Sequence, residues 1–171
     1  MQSQWAWRST ETAMNESHLA YLNLGSNIQP ETNLVRAVQL LSKYGEIIKI
    51  SNVWESKSVG AEGPNYLNAC VLFKSSFAKT DLKEQVIRPL EMQLGRVRYE
   101  DKYAPRTIDI DIILFDNQPI NEHFWDLAYV VIPLAELCPK YQNPNSREMI
   151  NKQVEYLRQE VWLEMRPGVL G

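Results

Sequence analysis

Apolar residues in this chain fall into short blocks with two different periods. Leu19 to Leu24 (LAYLNL) reads as a buried first strand, and Gly25-Ser26-Asn27 as the turn after it. Pro30 suits the first position of a helix, because its φ is fixed and it has no N–H to leave unpaired. Leu34, Val35, Val38, Leu40 and Leu41 then recur at helical spacing to about Tyr44, where Gly45 stops the helix. The β-branched run Ile47 to Trp54 predicts a second strand. Ser56 to Asn65 contains two glycines and a proline and predicts a loop, and Tyr66 to Phe73 (YLNACVLF) predicts a third strand. Thr80 reads as the N-cap of a second helix with Leu82, Val86, Leu90 and Leu94 as its buried stripe and Gly95 as its end. Pro89 is expected to kink or divide that helix. Arg96 to Arg106 is polar and predicts a long loop, and Thr107 to Phe115 (TIDIDIILF) a fourth strand. Beyond Asn121, Pro133 to Leu137 predicts a short helix and Val154 to Leu163 another.

The order β-α-β-β-α-β is the split βαβ arrangement of ferredoxin-like folds. It predicts the α+β class: an antiparallel four-stranded sheet with two helices on one face, followed by a C-terminal helical extension.

Composition narrows the class. The chain has 171 residues, enough for one domain with an extra tail, and its 23% charged and 44% hydrophobic fractions are those of a globular protein. A net charge of −3 excludes a uniformly basic nucleic-acid binder. An RNA-binding sheet would also need exposed aromatics and a basic face, whereas YLNACVLF carries no Lys or Arg. The longest apolar-leaning run, Tyr129 to Leu137, is broken by Pro133 and Glu136 and falls far short of the roughly 20 residues that span a bilayer. Cys70 and Cys138 make neither a disulfide framework nor a zinc knuckle, and His18 and His123 are too few for a histidine metal cluster. Met1 to His18 has no basic start followed by an apolar run, so it does not read as a secretory signal. It reads as an extension, mobile or late to pack, ahead of a single domain over 19–171 in the cytoplasm.

The stretch Gly95 to Asp111, GRVRYEDKYAPRTIDID, concentrates the chemistry. Asp109 and Asp111 lie two apart on a predicted strand, so both carboxylates share one face while Ile108, Ile110 and Ile112 point to the core. The alternative is simply a half-exposed strand with a polar face, yet Asp is a poor strand former and two side by side repel. Paired carboxylates suit Mg²⁺, which takes one or two such ligands together with substrate phosphates and water. Arg96, Arg98 and Arg106 flank the same loop, and the guanidinium fork matches phosphate oxygens. Alternatively, these arginines merely pair with nearby acids. There is no Gly-rich phosphate loop of the GxxxxGK[ST] type.

LNLGSN, GPNYLNAC, GRVR and APRTIDIDIILFD together resemble the 6-hydroxymethyl-7,8-dihydropterin pyrophosphokinases of folate biosynthesis, over about Leu19 to Pro139. The resemblance implies a ferredoxin-like fold and transfer of diphosphate from ATP to the pterin hydroxymethyl group, giving AMP, with two Mg²⁺ ions. It implies metal ligation by Asp109 and Asp111 and phosphate handling by Arg96 and Arg106, with Arg98 alongside. It places Glu91 and Ile112 near the nucleotide. On the pterin side it implies Asn68, Tyr66, the Val59 and Gly60 backbone, and Tyr129, which precedes VVIPL as the family's stacking aromatic precedes its own Pro-Leu. The partners implied are these small molecules, with no nucleic acid or membrane; the oligomeric state stays open.

Three departures stand out. Tyr103 stands where the family usually has Trp, and Ser56-Lys57-Ser58 where it has Thr-Pro-Pro. After the fourth strand, family members carry a Pro-His-Pro-like motif and a following Arg that face the phosphates. Asp116 to Ile132, DNQPINEHFWDLAYVVI, is shorter and has neither. His123 is the one candidate cation inside it, although its spacing does not match, and Lys102, Lys140 and Arg147 are the nearest outside. A nucleotide site more open than the family norm is expected. The competing reading is a non-catalytic or altered-specificity relative that binds a pterin or nucleotide.

Overall fold

A computed structural model describes residues 16–60, 62–101 and 103–171. The expectation for residues 1–15 lies outside them. His18, assigned above to the extension, is instead the first residue of a strand and pairs through Nδ1 with Asp116 at 2.6 Å.

In chain order the elements are β1 (His18–Ser26), α1 (Pro30–Leu41), β2 (Glu46–Ile50), β3 (Trp54–Ser56), β4 (Tyr66–Ser75), α2 (Lys79–Asp81), a π-helical segment (Leu82–Ile87) and α3 (Arg88–Gln93). Then come β5 (Asp109–Phe115), β6 (Gln118–Pro119), a 3₁₀ turn (His123–Asp126), α4 (Ala128–Leu137), α5 (Ile150–Glu160) and β7 (Leu163–Met165). β1 lies at the centre, antiparallel to β4 on one side and β5 on the other. The sheet runs β6-β5-β1-β4-β3-β7, with β2 also paired to β4.

Alternation along β1 splits the interior in two. Ala20, Leu22 and Leu24 pack with Leu34 and Leu41 of α1, Phe73 of β4, Leu82 and Ile87 of the second helical unit, and Ile108 and Ile110. On the opposite face Tyr21, Trp54, Cys70 and Leu114 pack with Phe124, Val131, Leu134, Ile150 and Leu157. The C-terminal part therefore covers the face that α1 and α3 leave bare, and it stops short of one end of that face.

Several local expectations change. Gly25 and Ser26 continue β1 rather than turning, because both pair across to β4. The second predicted strand splits into β2 and β3, since the Ser51 side chain and backbone pair with Cys70 and bend the chain there. The second helix starts after Ala78, not Thr80. The helix is divided beside Pro89, where the π-helical segment ends at Ile87 and α3 starts at Arg88 with Pro89 in its first turn. The Arg88 N–H donates to the Lys83 carbonyl five residues back, and this wide turn carries the helix past a residue that has no N–H to give. In β5, Ile113 is an extra residue in the pairing with β1, which lets Ile113 and Leu114 in succession reach the second core. The last predicted helix ends at Glu160, and Leu163 enters β7 against β3. Seven strands thus replace the four expected.

Candidate active site

The bare end of the second face collects the polar positions of three strands. Asp109 lies opposite Gly25, and Asp111 opposite Asn23, while Asn68 faces Gly25 from the other side. Period two puts all of them on one surface, and Tyr66 joins them two residues before Asn68. Gly25 is needed here: a Cβ would stand 3.1 Å from the Asn68 amide oxygen and close the floor of the cleft.

The two aspartates have unequal surroundings. Asp109 Oδ1 pairs with Arg96 Nη1 at 2.7 Å, and its other oxygen pairs with Arg106. Arg96 Nη1 also donates to the Ile108 carbonyl at 2.9 Å. Below this, Glu91 is 3% exposed and accepts from the Ile110 N–H at 2.8 Å. Burial pushes its carboxyl up, and that backbone hydrogen bond and Arg96 pull it back. Arg98 reaches the same carboxylate at 3.7 Å from the surface. Asp111 is a different case, since its side chain is 60% exposed. Loss of surrounding water and the Asp109 charge nevertheless hold its carboxyl above the usual range. An anion crowded in this way is suited to a hard divalent cation, whose remaining ligands would be phosphate oxygens and water. Among the described residues no cluster of three or more acids, histidines or cysteines supplies a larger metal set.

Two cavities meet at Asp111. The smaller, about 300 Å³, is lined by Ser56, Lys57, Val59, Tyr66, Asn68 and Tyr103, with Arg106 at its edge. The larger, about 540 Å³, is lined by Lys79, Lys83, Ile112, Asn121, His123 and Leu127 among others. Both are walled by Asn23, Asp111 and Tyr129. Asn68 is 2% exposed, and its amide donates to Ser56 Oγ at 2.9 Å within the wall of the smaller cavity. Burial first, then the two aspartates, raise the Tyr129 hydroxyl, so it remains a neutral donor.

Most residues expected from the sequence gather here. Val59, Tyr66, Asn68, Tyr129, Arg106, Asp109 and Asp111 line the smaller cavity, and Ile112 lines the larger. Ile112 is half-buried and does not enter the core as completely as Ile108 and Ile110. Arg96, Arg98 and Glu91 line neither cavity; they brace Asp109 and β5 from behind. Gly60 is not on the wall either, but its backbone lies against the Tyr103 ring at φ +82°, a conformation that suits glycine. His123 does reach the larger cavity despite its spacing, whereas Lys140 and Arg147 line neither, and Lys102 lies outside the described residues.

The sequence reading missed the organising residues Ser26 and Asn27. Ser26 Oγ donates to the Thr107 carbonyl at 2.6 Å. Asn27 takes the Arg106 N–H on its side-chain oxygen and donates to the Pro64 carbonyl, so it ties together the two loops that wall the cleft. Short polar residues next to a glycine were the available signal, and they read equally well as an ordinary turn.

The family model described as 7,8-dihydro-6-hydroxymethylpterin-pyrophosphokinase matches residues 21–139. The chain belongs to this family. Its members transfer diphosphate from ATP to hydroxymethyldihydropterin in folate synthesis, with ATP as co-substrate. The chain is 32% identical to the 2-amino-4-hydroxy-6-hydroxymethyldihydropteridine pyrophosphokinase of Bacillus subtilis, covering 90% of this chain and 95% of that one. It is 28% identical to the pyrophosphokinase of the same name from Synechocystis, covering 90% and 84%. Among solved structures, Plasmodium falciparum HPPK-DHPS with pterin and p-hydrobenzoate superposes with a TM-score of 0.66 at 13% identity. The match covers 85% of this chain and only 45% of that longer one, and it supports the fold alone. No helix among the described residues is long and apolar enough to cross a membrane.

Proposed function

We propose that the two cavities are the two substrate subsites of this pyrophosphokinase and that diphosphate passes between them over Asp111. The observation that carries this reading is that the cavities share the wall formed by Asn23, Asp111 and Tyr129. The smaller offers Tyr66 and Tyr129 beside one buried amide, which suits a flat heteroaromatic ring that needs both apolar faces and fixed hydrogen-bond partners. The larger takes the nucleotide.

The pterin hydroxymethyl oxygen attacks the β-phosphorus of ATP. The bond from that phosphorus to the α,β-bridging oxygen breaks, AMP leaves with the electron pair, and the hydroxymethyl proton passes to solvent. In such a transfer the protein mainly positions and neutralises charge. Two Mg²⁺ ions held by Asp109 and Asp111 would supply that neutralisation at the phosphates. Arg106, paired with Asp109 and standing at the edge of the smaller cavity, exchanges that partner for phosphate oxygens when substrates enter. Arg96 and Glu91 are positioning residues, holding Asp109 and β5 in register. Val59 and the Gly60 backbone form the outer lip on the pterin side, and Ile112 packs beside the nucleotide. Arg98, on the surface, reaches Glu91 and adds to that brace.

The test is AMP release from ATP, followed with and without 6-hydroxymethyl-7,8-dihydropterin. AMP that appears only with the pterin supports the reading. Binding of both molecules without AMP would identify the non-catalytic relative instead.

A further inference from the structure

A nucleotide triphosphate in the larger cavity needs cations on its wall, and none of the arginines of the long loop lines that cavity in this structure. Arg96 and Arg106 hold Asp109, while Arg98 reaches Glu91. Among the described residues its cationic wall is Lys79 and Lys83 from the second helical unit, with His123 charged only when protonated. The two lysines line the same cavity as Ile120, Asn121 and Leu127 of the segment Asp116 to Ile132, in which no Arg or Lys occurs.

Lys83 is the better placed of the pair. Its Nζ stands 3.8 Å from Asp111 Oδ1. That is beyond a direct hydrogen bond, and the lysine side chain is 33% exposed. So loose and hydrated a pair contributes little and costs little to open. The wide helical turn closes on this same residue, because the Lys83 carbonyl takes the Arg88 N–H from five positions on. Such turns occur often at functional sites. On the wall of the same cavity, Asn23 is 6% exposed and lines both cavities, and its side-chain oxygen is buried without a partner. A buried amide left incomplete beside Asp111 marks a place that a polar ligand fills.

We propose that Lys83 is a phosphate-contacting cation of the nucleotide site, acting from the wall of the larger cavity in addition to Arg106. It rests near Asp111 and turns onto the phosphate chain of ATP, doing from the helix wall what the cation-free Asp116–Ile132 segment does not. This assignment rests on the reading of the larger cavity as the nucleotide subsite.

The experiment titrates the full chain with α,β-methylene-ATP in Mg²⁺, where the transferable bond is blocked, and separately with the pterin, by calorimetry. Wild type, Lys83→Gln and Lys83→Arg are compared, with circular dichroism and the thermal midpoint as folding controls. Lys83→Gln is expected to weaken the nucleotide at least about tenfold, as for loss of a charge-assisted hydrogen bond. Pterin affinity should stay within about twofold. Lys83→Arg should recover most of the loss, and the salt dependence of nucleotide binding should become shallower in Lys83→Gln. Nucleotide affinity unchanged in a folded Lys83→Gln overturns the proposal while leaving the subsite reading intact. Wild-type protein that binds the pterin but not the nucleotide overturns both. Equal losses for both ligands would show a structural role and also overturn it.

Discussion

The Arg106 backbone N–H donates to the Asn27 side-chain oxygen over 2.7 Å, while the Asn27 and Ile28 N–H groups donate to the Arg106 carbonyl, and together they hold the long loop where it enters β5. The Asn27 amide simultaneously holds the Pro64 carbonyl at 3.3 Å. A residue of β1's exit therefore sets the spacing between the loop that carries Arg106 and the loop that carries Val59 and Gly60. Asn27→Ala removes both links. Leaving the buried N–H unsatisfied should cost about 1–3 kcal/mol of stability. Steady-state kinetics should show a lower kcat/KM for both substrates, because both walls of the cleft loosen, and urea titration should give the stability loss.

The aspartates should separate in their structural effects although both lose metal-dependent turnover. Asp109 anchors Arg96 and Arg106, so Asp109→Asn leaves a largely buried guanidinium short of its partner and should destabilise the fold measurably. Asp111 is repelled by Asp109 and only loosely paired, so Asp111→Asn should leave the thermal midpoint unchanged or raise it. Differential scanning calorimetry of both variants checks the contrast, and Mg²⁺-dependent AMP release checks the shared loss.

Glu91 is the buried acid beneath the site, and its replacement should act through β5. Glu91→Ala strands the Ile110 N–H and takes one acid from Arg96, whose Nε already has no hydrogen-bond partner. A loss of about 3–5 kcal/mol is expected for breaking a buried charged pair from one side. Glu91→Gln retains an acceptor for Ile110 and should recover part of it. Chemical denaturation of the two variants measures the difference.

Asn68→Ala tests the pterin subsite. Its buried amide donates to Ser56 Oγ and to the Trp54 carbonyl in the cavity wall. Pterin affinity should fall by about 1–3 kcal/mol, or roughly 5- to 150-fold. The affinity for α,β-methylene-ATP should be little altered.

The β3–β7 edge should be acid-sensitive. The Glu55 carboxyl is held below its usual range by the Asn65 amide and then by Arg166. A carboxyl with a depressed folded-state pKa contributes stability that is present above the unfolded value of about 4.3 and is lost as the pH falls through the lower folded value. Thermal midpoints measured downward from about pH 5 should therefore drop more steeply in wild type than in Glu55→Gln.

The sequence by itself determined the parts governed by local period and composition. Alternation in TIDIDIILF put Asp109 and Asp111 on one face, and the strand in YLNACVLF carried Tyr66 and Asn68; in the folded chain all four lie on one surface and line one cavity. Pro30 marked the start of α1 because its φ and missing N–H act at that position alone. What the tertiary structure decided depends on neighbours distant in sequence. Leu163 to Met165 becomes a strand only because β3 offers an unpaired edge. Ser26 and Asn27 become clamps only because Thr107, Arg106 and Pro64 arrive beside them. Arg96 reads as a site residue from its place in the loop beside the D-x-D strand, and Glu91 from the family resemblance. Packing placed them behind β5, away from both cavities. Lys83 carries no signal in a helical stripe of buried Leu and Val, and only the approach of α2 and its wide turn to Asp111 brings it to the cleft. Side-chain chemistry is local, but which charges share a cavity is set by chain crossings that no window of sequence contains.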